Sequence, residues 1–261
     1  MRALKIAATG MEAQQLRVEV ISNNLANMST TAYNPRRAEF ADLHYQQAQR
    51  AGTVNAADGT VLPAGVQLGL GVRTSAVSMD VEQGSLRATG GELDVAIEGN
   101  GYLEVLLPDG SSAYSRDGTL KRNGDGLIVT SDGFPVAPEI TIPADAVSVS
   151  INAEGEVYAY FRDQVGGQLL DRFNLVSFVN QKGLEAIGGN LYLETEASGP
   201  AEIGDAGVDG RGIFRAGYLE DSAVDPVREI TRLIEAQRGY ELNAKVITAV
   251  DQMMAATAQV R

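Results

Sequence analysis

The residues best suited to chemistry in this 261-residue chain are carboxylates. Asp94 with Glu98, and Glu154 with Glu156, are the residue types a glycoside hydrolase uses as its acid and base, held about 5–10 Å apart. Oxygen ligands for calcium could come from Asp109-Gly110, Asp117-Gly118, Asn123-Gly124-Asp125-Gly126 and Asp132-Gly133. The Asp-x-Asp-x-Asp-Gly loop with its closing Glu is absent, so these dipeptides read as tight turns. His44 is the single histidine and there is no cysteine, which excludes disulfides, thiolate nucleophiles, Cys-ligated zinc and multi-histidine metal sites. His44 itself has no supporting acid or nucleophile motif and reads as an exposed side chain. Gly69-Leu70-Gly71 lacks the third glycine and the following helix of a dinucleotide site. Asn27-Met28-Ser29 is a formal glycosylation triplet at the end of an apolar seam. The expectation is therefore no catalytic, cofactor-binding or metal residues, and no cofactor.

The elements that would position such groups divide the chain into three. Of 29 glycines and 8 prolines, only Gly10, Gly239 and Pro226 fall within residues 1–30 and 224–261. The first segment carries three basic and two acidic side chains and the last five of each, so the net charge of −13 leaves −14 for the middle. Scattered Lys and Arg in an acidic chain argue against nucleic acid and anionic membrane as partners. No apolar run approaches the ~20 residues that span a bilayer, so no membrane insertion is expected. The start Met1-Arg2-Ala3-Leu4-Lys5 has no apolar core or cleavage site, and no signal peptide is expected.

The spacing predicts an amphipathic helix from about residue 3 to 28. Leu4, Met11, Val18 and Leu25 recur every seven residues, with Ala7, Gln14, Ile21 and Met28 interleaved, so one stripe faces a single direction. At 1.5 Å per residue such a helix is about 40 Å long, too narrow to bury its stripe alone. A second helix begins at Asp225, an N-cap, followed by Pro226 at the first helical position. There Ile230, Leu233, Gln237, Tyr240, Ala244 and Ile247 follow one a/d spacing, while Val246, Val250, Met253, Thr257 and Val260 follow another. Gly239 inside this pattern costs about 1 kcal/mol against Ala and suggests close approach of another backbone. The two stripes are expected to pair with each other and then to associate with further copies.

The middle reads as short antiparallel strands at 66–81, 95–97, 102–107, 127–130, 147–151, 157–161 and 173–179, rich in β-branched and aromatic residues. Residues 31–70, with the polar run Gln46-Gln47-Ala48-Gln49-Arg50-Ala51-Gly52, then Asp58-Gly59 and Pro63, read as an extended connecting hairpin. The expected class is α+β: terminal α-helices (1–30 with 224–261) pairing as a coiled-coil-like domain, the hairpin 31–70, and a mainly antiparallel β domain over 71–223.

Three separated stretches, in order, resemble one family. Ile21-Ser22-Asn23-Asn24-Leu25-Ala26-Asn27-Met28-Ser29-Thr30 is similar to the N-terminal signature of the bacterial flagellar rod and hook axial proteins, and Gln237-Arg238-Gly239-Tyr240-Glu241 with Asn243 resembles their C-terminal one. Leu93-Asp94-Val95-Ala96-Ile97-Glu98-Gly99-Asn100-Gly101-Tyr102, followed by Tyr114-Ser115-Arg116-Asp117-Gly118, resembles the start of their β domain. Within that family, Leu62-Pro63-Ala64-Gly65-Val66-Gln67-Leu68-Gly69 and the ending Asp251-Gln252-Met253-Met254 point to the distal rod.

The resemblance implies a non-enzymatic subunit of the basal-body rod in the periplasm, self-assembling as a helical homopolymer into a hollow drive shaft that carries torque from motor to hook. It implies contacts with proximal rod proteins, hook protein and P-ring and L-ring proteins, and passage through the flagellar type III export apparatus. The expected subunit interface is the helical seams: Leu4, Met11, Val18, Ile21, Leu25, Met28, Ile230, Leu233, Tyr240, Ile247, Val250 and Met253. The signature residues carried over are Asn23, Asn24, Leu25, Ala26, Asn27, Gln237, Arg238, Tyr240 and Glu241. Two departures stand out: Ala32 with Asn34-Pro35 where the family usually has Gly and then a basic residue, and Gly239 where it has Ala. The alternatives are a proximal rod or hook protein, or a secreted glycan-binding or glycan-hydrolysing β protein.

Overall fold

The computed structural model describes residues 2–49, 64–162, 164 and 166–259. In chain order, one helix at each end flanks a mainly antiparallel β region, an α+β arrangement. Two compact units result: one gathers both terminal segments with Arg36–Met79, the other holds Asn27–Pro35 and Asp80–Val224. Among the described residues no helix is long and apolar enough to cross a membrane.

The helical unit is built on α1 (Arg2–Ala26) and α2 (Pro226–Gln259). Helix α1 stops two residues before the expected end, and Met28 lies in the turn beyond it. Asp225 caps α2 as its sequence demands: Oδ1 accepts the Val227 and Arg228 N–H groups at 3.0 and 3.2 Å. Strands β1 (Arg36–Asp42), β2 (Tyr45–Gln49), β3 (Val66–Gly69) and β4 (Val72–Met79) form two antiparallel pairs, β1 with β4 and β2 with β3. The run expected at 66–81 is broken because Gly71 adopts φ +119°, and a Cβ there would stand 2.3 Å from Thr9 Oγ1. That hydroxyl accepts the Val72 N–H, which ties β4 to α1. Arg17 of α1 sits over the Phe40 ring at 5.5 Å and fastens β1 to the same helix.

The β unit consists of short antiparallel pieces around one apolar core. Strand β5 (Leu86–Ala88) pairs with Tyr218–Glu220 and β6 (Val95–Glu98) with Ile213–Ala216. Strands β7 (Leu103–Leu106) and β8 (Ser112–Ser115) pair with each other and extend to Leu191–Leu193 and Glu185–Gly188. A three-stranded sheet comprises Ala146–Ile151, Glu156–Phe161 and Gly167–Arg172, the last a strand that its polar composition concealed. Along β7 the period of two is plain: Leu103 and Val105 are buried, Glu104 and Leu106 are not. Ile97, Val157, Phe173, Leu175 and Phe214 complete the core, each worth about 1.5–3 kcal/mol on burial. The Asp-Gly pairs act as turns; Asp109 Oδ1 accepts both the N–H and the hydroxyl of Ser111, which holds its carboxyl below the usual range. Gly118 is required for a different reason, since a Cβ there would lie 1.6 Å from the Val95 carbonyl oxygen.

Candidate assembly interface

The signature residue Asn24 is 1% exposed and works as a staple within the helical unit. Its Oδ1 accepts the Arg36 N–H at 2.8 Å while its Nδ2 donates to the Arg36 carbonyl at 2.8 Å. A planar side-chain amide thus pairs with both backbone groups of one residue, as a neighbouring strand would. The second Nδ2 proton goes to Glu229 Oε2 at 3.2 Å, and Glu229 Oε1 pairs with Arg232 at 2.6 Å. One amide therefore joins the end of α1, the start of β1 and the first turn of α2. Asn27 works locally: its side-chain oxygen accepts the Thr30 hydroxyl.

Between the helices, glycine and amide alternate. A Cβ on Gly10 would meet Asn243 Nδ2 at 2.9 Å, and one on Gly239 would meet Gln14 Cδ at 3.1 Å. The close neighbour of Gly239 is thus the Gln14 side chain, where the sequence suggested a backbone. Gln14 Oε1 is buried with no hydrogen-bond partner among the described residues. Ala236, 0% exposed, lies three residues before Gly239 and buries through smallness, outside the apolar stripes.

The expected seam residues divide sharply. Ile21 is buried, and Leu4, Met11, Val18, Leu25, Leu233, Ile247 and Val250 are half-buried. Met28, Ile230, Tyr240 and Met253 are exposed, Met253 to 60%. Ile234 and Leu242, which no heptad singled out, and Val246 of the second stripe are exposed on α2 as well. Gln15 and Val18 of α1 and Gln237, Tyr240 and Glu241 of α2 line a shallow groove, bringing three signature residues together beside the seam. Of the remaining signature positions, Asn23, Ala26 and Arg238 are exposed. Val260 lies outside the described residues, as do Arg50, Ala51, Gly52, Asp58, Gly59, Leu62 and Pro63.

Three of the four carboxylates considered for hydrolysis are tied into local structure. Glu98 pairs with Arg215 at 2.8 Å, Asp94 accepts the Thr89 hydroxyl, and Glu156 accepts from Asn152 and Tyr158. His44 is exposed. In the β unit, Arg116 and Glu220 form a buried pair at 2.9 Å, and the guanidinium also donates to the carbonyls of Gly99 and Gly101. Arg116 stands within a stretch that the family resemblance singled out, but its partner, about a hundred residues away, left no local trace.

The geometry is that of packing surfaces, and comparison with known proteins gives the family. Residues 4–33 match the family of flagella basal body rod proteins, 96–159 the D1 domain of flagellar hook protein FlgE/F/G, and 215–260 the C-terminal region of flagellar basal body rod FlgEFG proteins. The flagellar basal-body rod protein FlgG of Caulobacter vibrioides is 49% identical over 261 residues, all of both chains. The chain belongs to the FlgG family of flagellar basal-body rod proteins. FlgG of Buchnera aphidicola from Acyrthosiphon pisum is 44% identical over 97% of this chain and 96% of its own, and that of Bacillus subtilis 36% over 97% of each. Family membership makes this a structural, non-enzymatic subunit of the basal-body rod, which assembles with its own copies and with other axial proteins.

Proposed function

We propose that the chain is a distal-rod subunit whose helical seams are covered in a coiled-coil-like tube wall by neighbouring copies, and that this tube transmits torque from motor to hook. The observation that carries the reading is the exposure of Ile230, Ile234, Tyr240, Leu242, Val246 and Met253 on one helix of an isolated copy. Exposure of several large apolar side chains around one helix marks an interaction surface. In the same reading residues 31–70 and the strands they feed stiffen the tube as a connecting hairpin, the β domain faces outward, and proximal rod proteins and hook protein abut the two ends. The P-ring and L-ring proteins surround it, and the flagellar type III export apparatus delivers it. The acidic β domain stays hydrated, which keeps contact with the rings weak enough for rotation. Purified chain should remain monomeric when dilute and grow straight tubes when concentrated or seeded, and removal of residues 1–30 should abolish growth. A folded chain that stays monomeric at every concentration overturns the reading; curved tubes would assign it to the hook.

A further inference from the structure

Four of the chain's 21 basic side chains converge on one cleft of about 270 Å³ in the helical unit. Arg17 comes from α1, Arg36 and Arg37 from β1, and Arg232 from α2; Glu229 and Glu235 share the lining. Glu229 is already engaged, one oxygen on Arg232 and the other on the Asn24 amide. Arg17 is steadied by its seat over Phe40. The lining therefore holds an excess of two positive charges in a concave wall, where field lines concentrate. Guanidinium groups so placed suit carboxylates, which they grip through two parallel N–H bonds.

The matching charge is on the other unit. Asn27–Pro35 and Asp80–Val224 carry 24 acidic and nine basic side chains, a net of −15, against +2 for the helical unit. The geometry points to this cleft as a receptor for acidic side chains of the β unit of a second copy, a latch that fixes how successive copies register. The inference rests on the self-assembly reading and adds to it a polar, salt-sensitive contact beside the apolar seam. The Arg36 backbone is held by Asn24 whatever its side chain, so substitution at 36 and 37 spares that staple.

The test uses full-length chain carrying Arg36→Gln with Arg37→Gln, checked for unchanged circular dichroism. Its critical concentration for tube growth should rise about five-fold at 50 mM salt and return to within about two-fold of the unsubstituted chain at 0.5 M salt, where surface charges are screened. Arg37→Lys, which keeps the charge and loses the fork, should raise it about two-fold at low salt and serves if the double variant fails to fold. A photo-crosslinker at position 37 in assembled tubes should capture peptides from residues 80–224 of another copy. Critical concentrations equal to the parent at both salts, a rise that salt does not relieve, or crosslinks confined to helices each overturn the latch and leave self-assembly standing. An unsubstituted chain that never polymerises overturns both.

Discussion

At the scale of single residues, Asn24 is the position where a small change should cost most. Asn24→Ala leaves the Arg36 N–H and carbonyl without their partner in a part-buried place, and strips a donor from the buried Glu229. Each orphaned buried group costs about 1–3 kcal/mol, so a loss near 3 kcal/mol is expected in urea titration of the helical unit. Asn24→Asp keeps the shape but turns a carboxylate toward a carbonyl and another carboxylate, and should be at least as damaging. Ala32 is the opposite case. It holds φ +52°, a left-handed conformation that an alanine disfavours by about 1–2 kcal/mol, with its N–H given to the Glu220 carbonyl at 2.8 Å. Ala32→Gly should therefore stabilise the β unit by about 0.5–1 kcal/mol, reduced from the full strain by the freedom glycine gains when unfolded. An unchanged or lower denaturation midpoint would refute that account of the turn. Tyr102 supplies a pH test: burial pushes its hydroxyl from 10.0 up to about 12, against the opposing pull of Arg116, with Tyr192 and Glu220 adding to the rise. The folded state favours the protonated form, so this stabilisation is complete below pH 10 and is lost as pH climbs to about 12, a fall of about 2–3 kcal/mol. Tyr102→Phe should lack that component of the alkaline decline.

At the scale of elements, Gly239 sets two effects against each other. Alanine there gains about 1 kcal/mol of helix propensity, while its Cβ would crowd the end of Gln14 at 3.1 Å. The crowded group is a flexible side chain whose oxygen has no partner to lose, so propensity wins and Gly239→Ala should raise the melting temperature of the helical unit by a few degrees. Gly239→Leu cannot be absorbed in this way and should lower it. The ends of these helices were legible because capping chemistry is local: Asp225 and Pro226 announce α2, and the seven-residue spacing announces α1. The packing face was less legible, since Ala236, Gly239 and Asn243 meet α1 through smallness, which a search for apolar stripes does not register. The strands at 95–98 and 156–161 announced themselves through β-branched and aromatic residues, whereas Gly167–Arg172 earns its place only by pairing with a neighbour. The arginine cleft was invisible for the same reason, its four members being distant in sequence and assembled by three elements.

At the scale of the whole molecule, apolar burial is distributed as unequally as charge. Among the described residues the apolar side chains that the helical unit buries are only Ala7, Ala13, Ile21, Met79 and Ala236, three of them alanines, while the β unit encloses a core that includes Phe173, Phe214, Leu103 and Ile97. Alanine contributes little transfer free energy, so the helices of a solitary copy are marginal and gain most from neighbours. Heating a dilute monomer should consequently remove the helical circular dichroism signal first, in a transition separate from that of the β unit. Assembly acts on the first transition by mass action: at a hundred-fold excess over the critical concentration it adds about 2.7 kcal/mol, which for a unit of this size moves the midpoint up by about 10–20 °C. Tubes should therefore lose the gap between the two transitions, and Tyr240→Ala with Met253→Ala should restore it by removing exposed apolar contact. One cooperative transition in the dilute chain, at a midpoint indifferent to polymerisation, would mean that the helices already possess their full stability alone and that the exposed seam has another purpose.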